Sequence, residues 1–296
     1  MVKPVNLLDL GSDDFQKFMD SFDYVFSDCD GVIWTRTPLP GSGKFFELIK
    51  NRGKDAYFVS NNSIKSEETY TKLFEAVGIE DGFNRLTIPS VAIMEYLKSV
   101  NFNKSIYCVT CSETQKVLER NGFKCKSGPL STTENLADYL SYIEDDEEIG
   151  AVVIDSDFRV NIPKMYKSIT YLKRPDVLFI NGATDRIVPL KPGLVVFGTT
   201  VITDVINTES KREPIVLGKP SKLFGQLAMK RAGVTDPSRV LFIGDMIEQD
   251  IGLGKNCGFK TMLVLTNATE DQMLSSDIRP DYYAPNLGSL VPLLEE

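Results

Sequence analysis

The sequence predicts an α/β fold: a doubly wound parallel sheet with a second α/β unit inserted into it. Three observations carry this. Short apolar runs recur without polar alternation, helix-like stretches separate them, and runs ending in acidic or basic stops lie on both sides of a middle region with strands and helices of its own.

In chain order, the outer runs are Tyr24-Val25-Phe26, Ala56 to Val59, Pro214 to Leu217, Val240 to Ile243 and Thr261 to Leu265. Loss of alternation is expected where helices cover both faces of a parallel sheet. Between them, Gly43 to Arg52, Ser66 to Val77, Ser221 to Ala232 and Ile247 to Asn256 read as helices, which completes a βαβ pattern. The middle region adds strands at Ser105 to Val109, Ala151 to Ile154 and Val177 to Ile180, and helices at Ser112 to Asn121, Thr133 to Tyr142 and Pro163 to Leu172. Residues 1–100 and 206–296 are therefore expected to form the outer unit, and 101–205 the inserted one.

With 296 residues the chain has room for two cores. A net charge of -8 with no block of Lys or Arg argues against a nucleic-acid or anionic-membrane surface. Asp9, Asp13 and Asp14 interrupt the N-terminal segment, so it does not read as a signal peptide, and no apolar run reaches the ~20 residues of a membrane helix. Five sparse cysteines fit a reducing, cytoplasmic setting. Histidine is absent, which removes Ser-His-Asp and Cys-His catalysis and leaves carboxylate, Lys, Tyr or Cys as acid or base.

Ligands of an open parallel sheet sit beyond the carboxyl ends of its strands. The residues expected there are Asp28 with Asp30, Ser60 with Asn61, Lys219, and Asp245. Each alone is also a turn or helix-cap device. Together they form the set that metal-assisted phosphoryl transfer requires: carboxylates for Mg2+, and Lys219 and Ser60 for the charge of the moving phosphoryl group.

The segments Asp28-Cys29-Asp30-Gly31-Val32, Val59-Ser60-Asn61-Asn62-Ser63, Gly218-Lys219-Pro220 and Ile243-Gly244-Asp245 with Asp250-Ile251 resemble the four motifs of haloacid dehalogenase-type phosphatases. The branch with phosphoglycolate, pyridoxal-phosphate and 4-nitrophenyl phosphatases, whose large cap lies between the second and third motifs, is the most similar. The resemblance implies Asp28 as nucleophile and metal ligand and Asp30 as general acid and base, its carbonyl on the metal. It further implies Asp245 as a metal ligand, Asp250 as a carboxylate behind it, and Ser60, Asn61, Asn62 and Lys219 around the phosphate. A small phosphorylated metabolite is the implied substrate, Mg2+ the cofactor, and a homodimer through the cap the implied assembly.

This sequence departs from the family pattern in the cap loop. Ala183 stands where Asn is usual, while Asp185 and Pro189 keep their spacing, and Phe197-Gly198-Thr199-Thr200 replaces a Pro-Gly-Thr-Gly stretch. Asp185 is the expected selectivity residue, with Arg186 and Lys191 as further charges. Met246, Gln249 and Ile64 are also unusual. A phosphate-binding or regulatory protein with weak turnover is therefore the alternative function. Cys108-Val109-Thr110-Cys111 lacks the ligands for a zinc site, and Cys29, between the two aspartates, reads as a small buried residue.

Overall fold

The computed structural model describes residues 3–130, 133–191 and 193–296, with the backbone alone at 189–191. Its strands are β1 (Val5–Asn6), β2 (Tyr24–Ser27), β3 (Asp55–Val59), β4 (Leu86–Thr87), β5 (Ser105–Val109), β6 (Lys124–Ser127), β7 (Ile149–Ile154), β8 (Leu178–Asn181), β9 (Ile187–Lys191), β10 (Leu194–Phe197), β11 (Ile215–Val216), β12 (Val240–Gly244), β13 (Lys260–Val264) and β14 (Tyr282–Ala284). Two compact units result: residues 1–60, 66–87 and 219–296 in one, and 61–65 with 88–218 in the other.

The first unit holds a seven-stranded sheet in the order β1-β14-β13-β12-β2-β3-β4, parallel at every pairing. Its central strands are the apolar runs of the sequence, and β12 is buried throughout. Phe26, Phe242 and Phe259 pack together, with ring centroids 5.7 Å apart for Phe26 and Phe259 and 6.4 Å for Phe242 and Phe259. On β2 the order decides the chemistry. Its neighbours are β12 on one side and β3 on the other, so the ends of these three strands carry Asp28, Asp245 and Ser60 to a common edge. Trp34 is fully buried, edge-on to Phe74 at 5.0 Å, and serves packing.

The second unit has a parallel five-stranded sheet, β11-β8-β7-β5-β6, and an antiparallel β9/β10 hairpin. Its core gathers Tyr107, Val152, Ile154, Tyr171, Phe179 and Ile206. These units are bounded at 87/88 and 218/219, against the expected 100/101 and 205/206. Two features explain the difference. The helix Pro89–Ser99 packs on Ser112–Arg120, and the run Pro214 to Leu217, expected as a strand of the outer sheet, pairs as β11 with Ile180 and Asn181 of β8. A short apolar run carries no sign of which sheet it joins.

Two further elements departed from expectation. β6 reads Lys-Cys-Lys-Ser, polar because it is the outer strand of its sheet, and β9/β10 is a hairpin where a loop was expected. No helix of the described residues is long and apolar enough to cross a membrane.

Candidate active site

β2 ends where Asp28 N donates to Ile243 O at 2.8 Å, which continues the ladder to β12 and fixes the Asp28 backbone beside Asp245. The chain then turns tightly: the amides of Ile33 and Trp34 donate to Cys29 O, and Gly31 N donates to Trp34 O at 2.7 Å. Gly31 has φ +86°, and a Cβ there would fall 1.9 Å from Asp245 Oδ2. Only glycine permits both the turn and the approach of Asp245. Thr266 Oγ1 donates to Gly31 O at 2.6 Å and pins the turn from the loop after β13.

Lys219 is the centre of charge. Its Nζ lies 2.7 Å from Asp250 Oδ1 and 2.9 Å from Asp28 Oδ1, the latter an ion pair short of good hydrogen-bond geometry. Contrary to expectation, no strand of the first sheet precedes it, since β11 belongs to the other unit. Asp250 Oδ2 accepts from the amides of Asp245 and Met246 at 3.0 and 2.9 Å. A Cβ on Gly244 would come 2.1 Å from Asp250 Cβ, so the fourth motif's glycine admits this carboxylate beneath the strand end. Asp250 is thus a strut, both of its oxygens committed.

Asp28, Asp245 and Asp250 place carboxylate oxygens within 4.8 Å of one another, all buried. Of these, Asp28 Oδ1 and Asp245 Oδ1 are buried with no hydrogen bond. Three buried carboxylates face one buried ammonium, an excess of negative charge. The response is visible in the acidities: burial, with Asp250 and Asp30 adding repulsion against the attraction of Lys219, pushes Asp28 up to about 7. Burial and the charges of Asp250 and Asp28 push Asp245 well above the ordinary carboxylate range. For Lys219 burial opposes the cation, and Asp250 and Asp28 outweigh it, holding the pKa above the ordinary lysine value. Hard carboxylate oxygens with surplus negative charge, Asp245 Oδ1 without a hydrogen bond and Asp28 Oδ1 held by Lys219 alone, fit a divalent cation on Asp28 and Asp245.

Asp30, half-buried, continues the turn after Asp28 and bridges to Trp34. Ser60 closes β3, where its amide donates to Thr87 O at 3.1 Å. Its side chain shares a hydrogen bond with Tyr70, a fully buried phenol whose pKa is pushed well above the ordinary tyrosine value by burial and then by the charges of Cys29, Asp30 and Asp28. Tyr70 was not read from the sequence as part of the site, because with Phe74 it looks like a core position of one helix face.

Asn61 and Asn62 fall in the second unit. Asn62 Oδ1 accepts from the amides of Ile64 and Lys65, and Asn61 Nδ2 donates to Asp185 Oδ2 at 3.2 Å. Arg186 is paired with Asp204 at 2.8 Å, while the side chains of Pro189 and Lys191 lie outside the described residues. None of the five cysteines is in a disulfide; Cys29 is buried, and Cys111 Sγ donates to Ser63 O at 3.4 Å.

Gly31→Ala tests the turn. The new methyl must displace Asp245 or distort a left-handed residue, and a shift of about 1 Å in a reacting group costs on the order of 100-fold. Hydrolysis of 4-nitrophenyl phosphate, the activity the resemblance implies, should fall by that order, and a rate within twofold of wild type would show that the close approach is not needed.

The family model described as haloacid dehalogenase-like hydrolase matches residues 25–124, and one described as HAD-hydrolase-like matches 216–290. Phosphoglycolate phosphatase 2 of Arabidopsis thaliana is 33% identical over 97% of this chain and 98% of its own length. The 4-nitrophenylphosphatase of Schizosaccharomyces pombe is 29% identical, covering 94% of this chain and 96% of that one. Among solved structures, a p-nitrophenyl phosphatase from Archaeoglobus fulgidus superposes with a TM-score of 0.78 at 26% identity, over 92% of this chain and 99% of that chain. With the strand-end acids, the buried lysine and these full-length similarities in agreement, the chain belongs to the haloacid dehalogenase-like hydrolases, as a phosphatase of that family.

Proposed function

We propose that the chain is a Mg2+-dependent phosphomonoesterase acting on a small phosphorylated metabolite, of the phosphoglycolate or 4-nitrophenyl phosphate type, through an aspartyl phosphate on Asp28. The observation that carries this reading is the buried cluster of Asp28, Asp245, Lys219 and Asp250, in which Asp28 and Asp245 keep oxygens without hydrogen bonds.

Asp28 attacks phosphorus and the bond to the leaving oxygen breaks, while Asp30 gives that oxygen its proton. Asp30 then takes a proton from the attacking water, and the bond from phosphorus to Asp28 breaks to release inorganic phosphate. Lys219 holds Asp28 ionised and offsets charge on the phosphoryl oxygens, and Ser60, oriented by Tyr70, donates to one of them. Mg2+ would be held by Asp28 and Asp245, with the Asp30 carbonyl as the resemblance implies, and would supply charge neutralisation for phosphate and nucleophile. Asp250 keeps Lys219 and the Asp245 backbone in place.

The second unit is the cap of this reading, with compact monoesters as substrates and Asp185 as the selectivity residue. The β9/β10 hairpin exposes Ile187, Val195 and Phe197, which supports a second copy of the chain covering it. Five sparse cysteines, none in a disulfide, support the cytoplasm as its compartment.

Hydrolysis of 4-nitrophenyl phosphate after dialysis against chelator tests the reading and its alternative, a phosphate-binding protein with weak turnover. Activity should be absent without metal, return with Mg2+ and be suppressed by Ca2+. Mg2+ takes fewer oxygens at shorter bonds than Ca2+, so the larger ion would engage more of the Asp28 carboxylate that has to react. Equal rates with either ion would remove the metal assignment, and phosphate binding without turnover would favour the alternative.

A further inference from the structure

Asp155 follows β7, is fully buried, and takes no part in the chemistry above. Its Oδ1 accepts from Ala183 N at 3.1 Å and its Oδ2 from Thr114 Oγ1 at 3.1 Å. The Ser63 hydroxyl and the Ser156 amide lie close enough to the same carboxylate to favour its ionised form, and Cys111, which contacts Thr114 Oγ1 at 3.5 Å, donates to Ser63 O at 3.4 Å. Gly182 leaves it room, since a Cβ there would lie 2.6 Å from Asp155 Oδ1. Ser63 in turn accepts from Ser90 N at 3.2 Å, at the head of the helix Pro89–Ser99.

One carboxylate therefore ties together two loops far apart in sequence: 61–65, from the second motif, and 182–185, which leads to the selectivity residue. Between these loops runs the bond from Asn61 Nδ2 to Asp185 Oδ2 at 3.2 Å. We infer that Asp155 is a positioning residue for substrate selectivity, fixing the two loops in the register at which Asn61 holds the Asp185 carboxylate. Burial pushes the Asp155 carboxyl up, and the bonds from Ala183, Ser156, Ser63 and Thr114 act against that push. A buried acceptor with this many donors is costly to disturb, so the loops are held firmly rather than by surface contacts. The inference rests on the reading of Asp185 as the residue that discriminates leaving groups.

The test is a kinetic panel with phosphoglycolate and 4-nitrophenyl phosphate on full-length wild type, Asp155→Asn, Ser63→Ala, Asp185→Ala and the two double variants with Asp185→Ala. Asp155→Asn and Ser63→Ala should each shift the ratio of kcat/KM between the substrates by about tenfold, within the reach of a displacement under 1 Å. The shift should run in the direction given by Asp185→Ala and fall on KM, with kcat for 4-nitrophenyl phosphate close to wild type. The double variants should shift the ratio no further than Asp185→Ala alone, as expected when two residues act through one contact. Should Asp155→Asn fail to fold, Ser63→Ala, which removes only the loop's tether, carries the test. Equal losses for both substrates, or additive shifts in the double variants, would overturn the proposal while leaving the reading of Asp185 intact. An unchanged ratio in Asp185→Ala would defeat that reading and this inference with it.

Discussion

Asp28→Asn should abolish turnover while the protein stays folded. The amide cannot attack phosphorus, and loss of a covalent nucleophile costs on the order of a millionfold in kcat in a well-studied hydrolase. The fold should tolerate the change, because burial already disfavours the ionised Asp28 carboxylate and Lys219 keeps its shorter contact with Asp250. Steady-state hydrolysis and thermal unfolding check both halves together. Residual activity within about 100-fold of wild type, beyond what general acid-base help alone is commonly worth at its lower end, would remove Asp28 as nucleophile.

Lys219→Ala should damage activity and stability alike. Its ammonium is almost wholly buried between two carboxylates, at 2.9 and 2.7 Å. Deleting one partner of a buried ion pair leaves uncompensated charge, which costs about 3–5 kcal/mol. Lys219→Arg should not restore the site, since a planar fork does not replace a compact ammonium. Chemical denaturation in chelator reads the loss directly, and a change below about 1 kcal/mol, the scale of an exposed pair, would show the contacts to be energetically idle. Turnover should fall as well, because Lys219 both keeps Asp28 ionised and faces the phosphoryl oxygens.

How far the sequence led depended on the physics behind each signal. β2, β3, β12 and β13 were legible because strands covered on both faces become continuous apolar runs. Asp28, Lys219 and Asp245 were legible as polar residues at the ends of apolar runs, and Asp250 through the resemblance of the fourth motif; the structure places oxygens of the three carboxylates within 4.8 Å of one another and Lys219 Nζ 2.9 and 2.7 Å from Asp28 and Asp250. Sheet membership was not. Ile215–Val216 is as apolar as a strand of the first sheet, yet its partner is β8. The polar β6 carried too little apolar pattern to be seen. Long-range polar contacts left no local trace at all: the bond from Asn61 to Asp185 spans 124 residues, and Asp155 reads only as the residue that stops a strand.

The account turns on phosphorylation of Asp28, and intact-mass spectrometry of Asp30→Asn during reaction with 4-nitrophenyl phosphate tests it most directly. This variant keeps the nucleophile and lacks the base that activates water, a loss commonly worth about 100- to 10,000-fold. The good leaving group needs little protonation, so the first step should proceed and the second stall. A mass increment of one phosphoryl group should accumulate, map to Asp28, and be absent from Asp28→Asn carrying the same second change. No adduct while hydrolysis continues, or an adduct on any other residue, would contradict the mechanism.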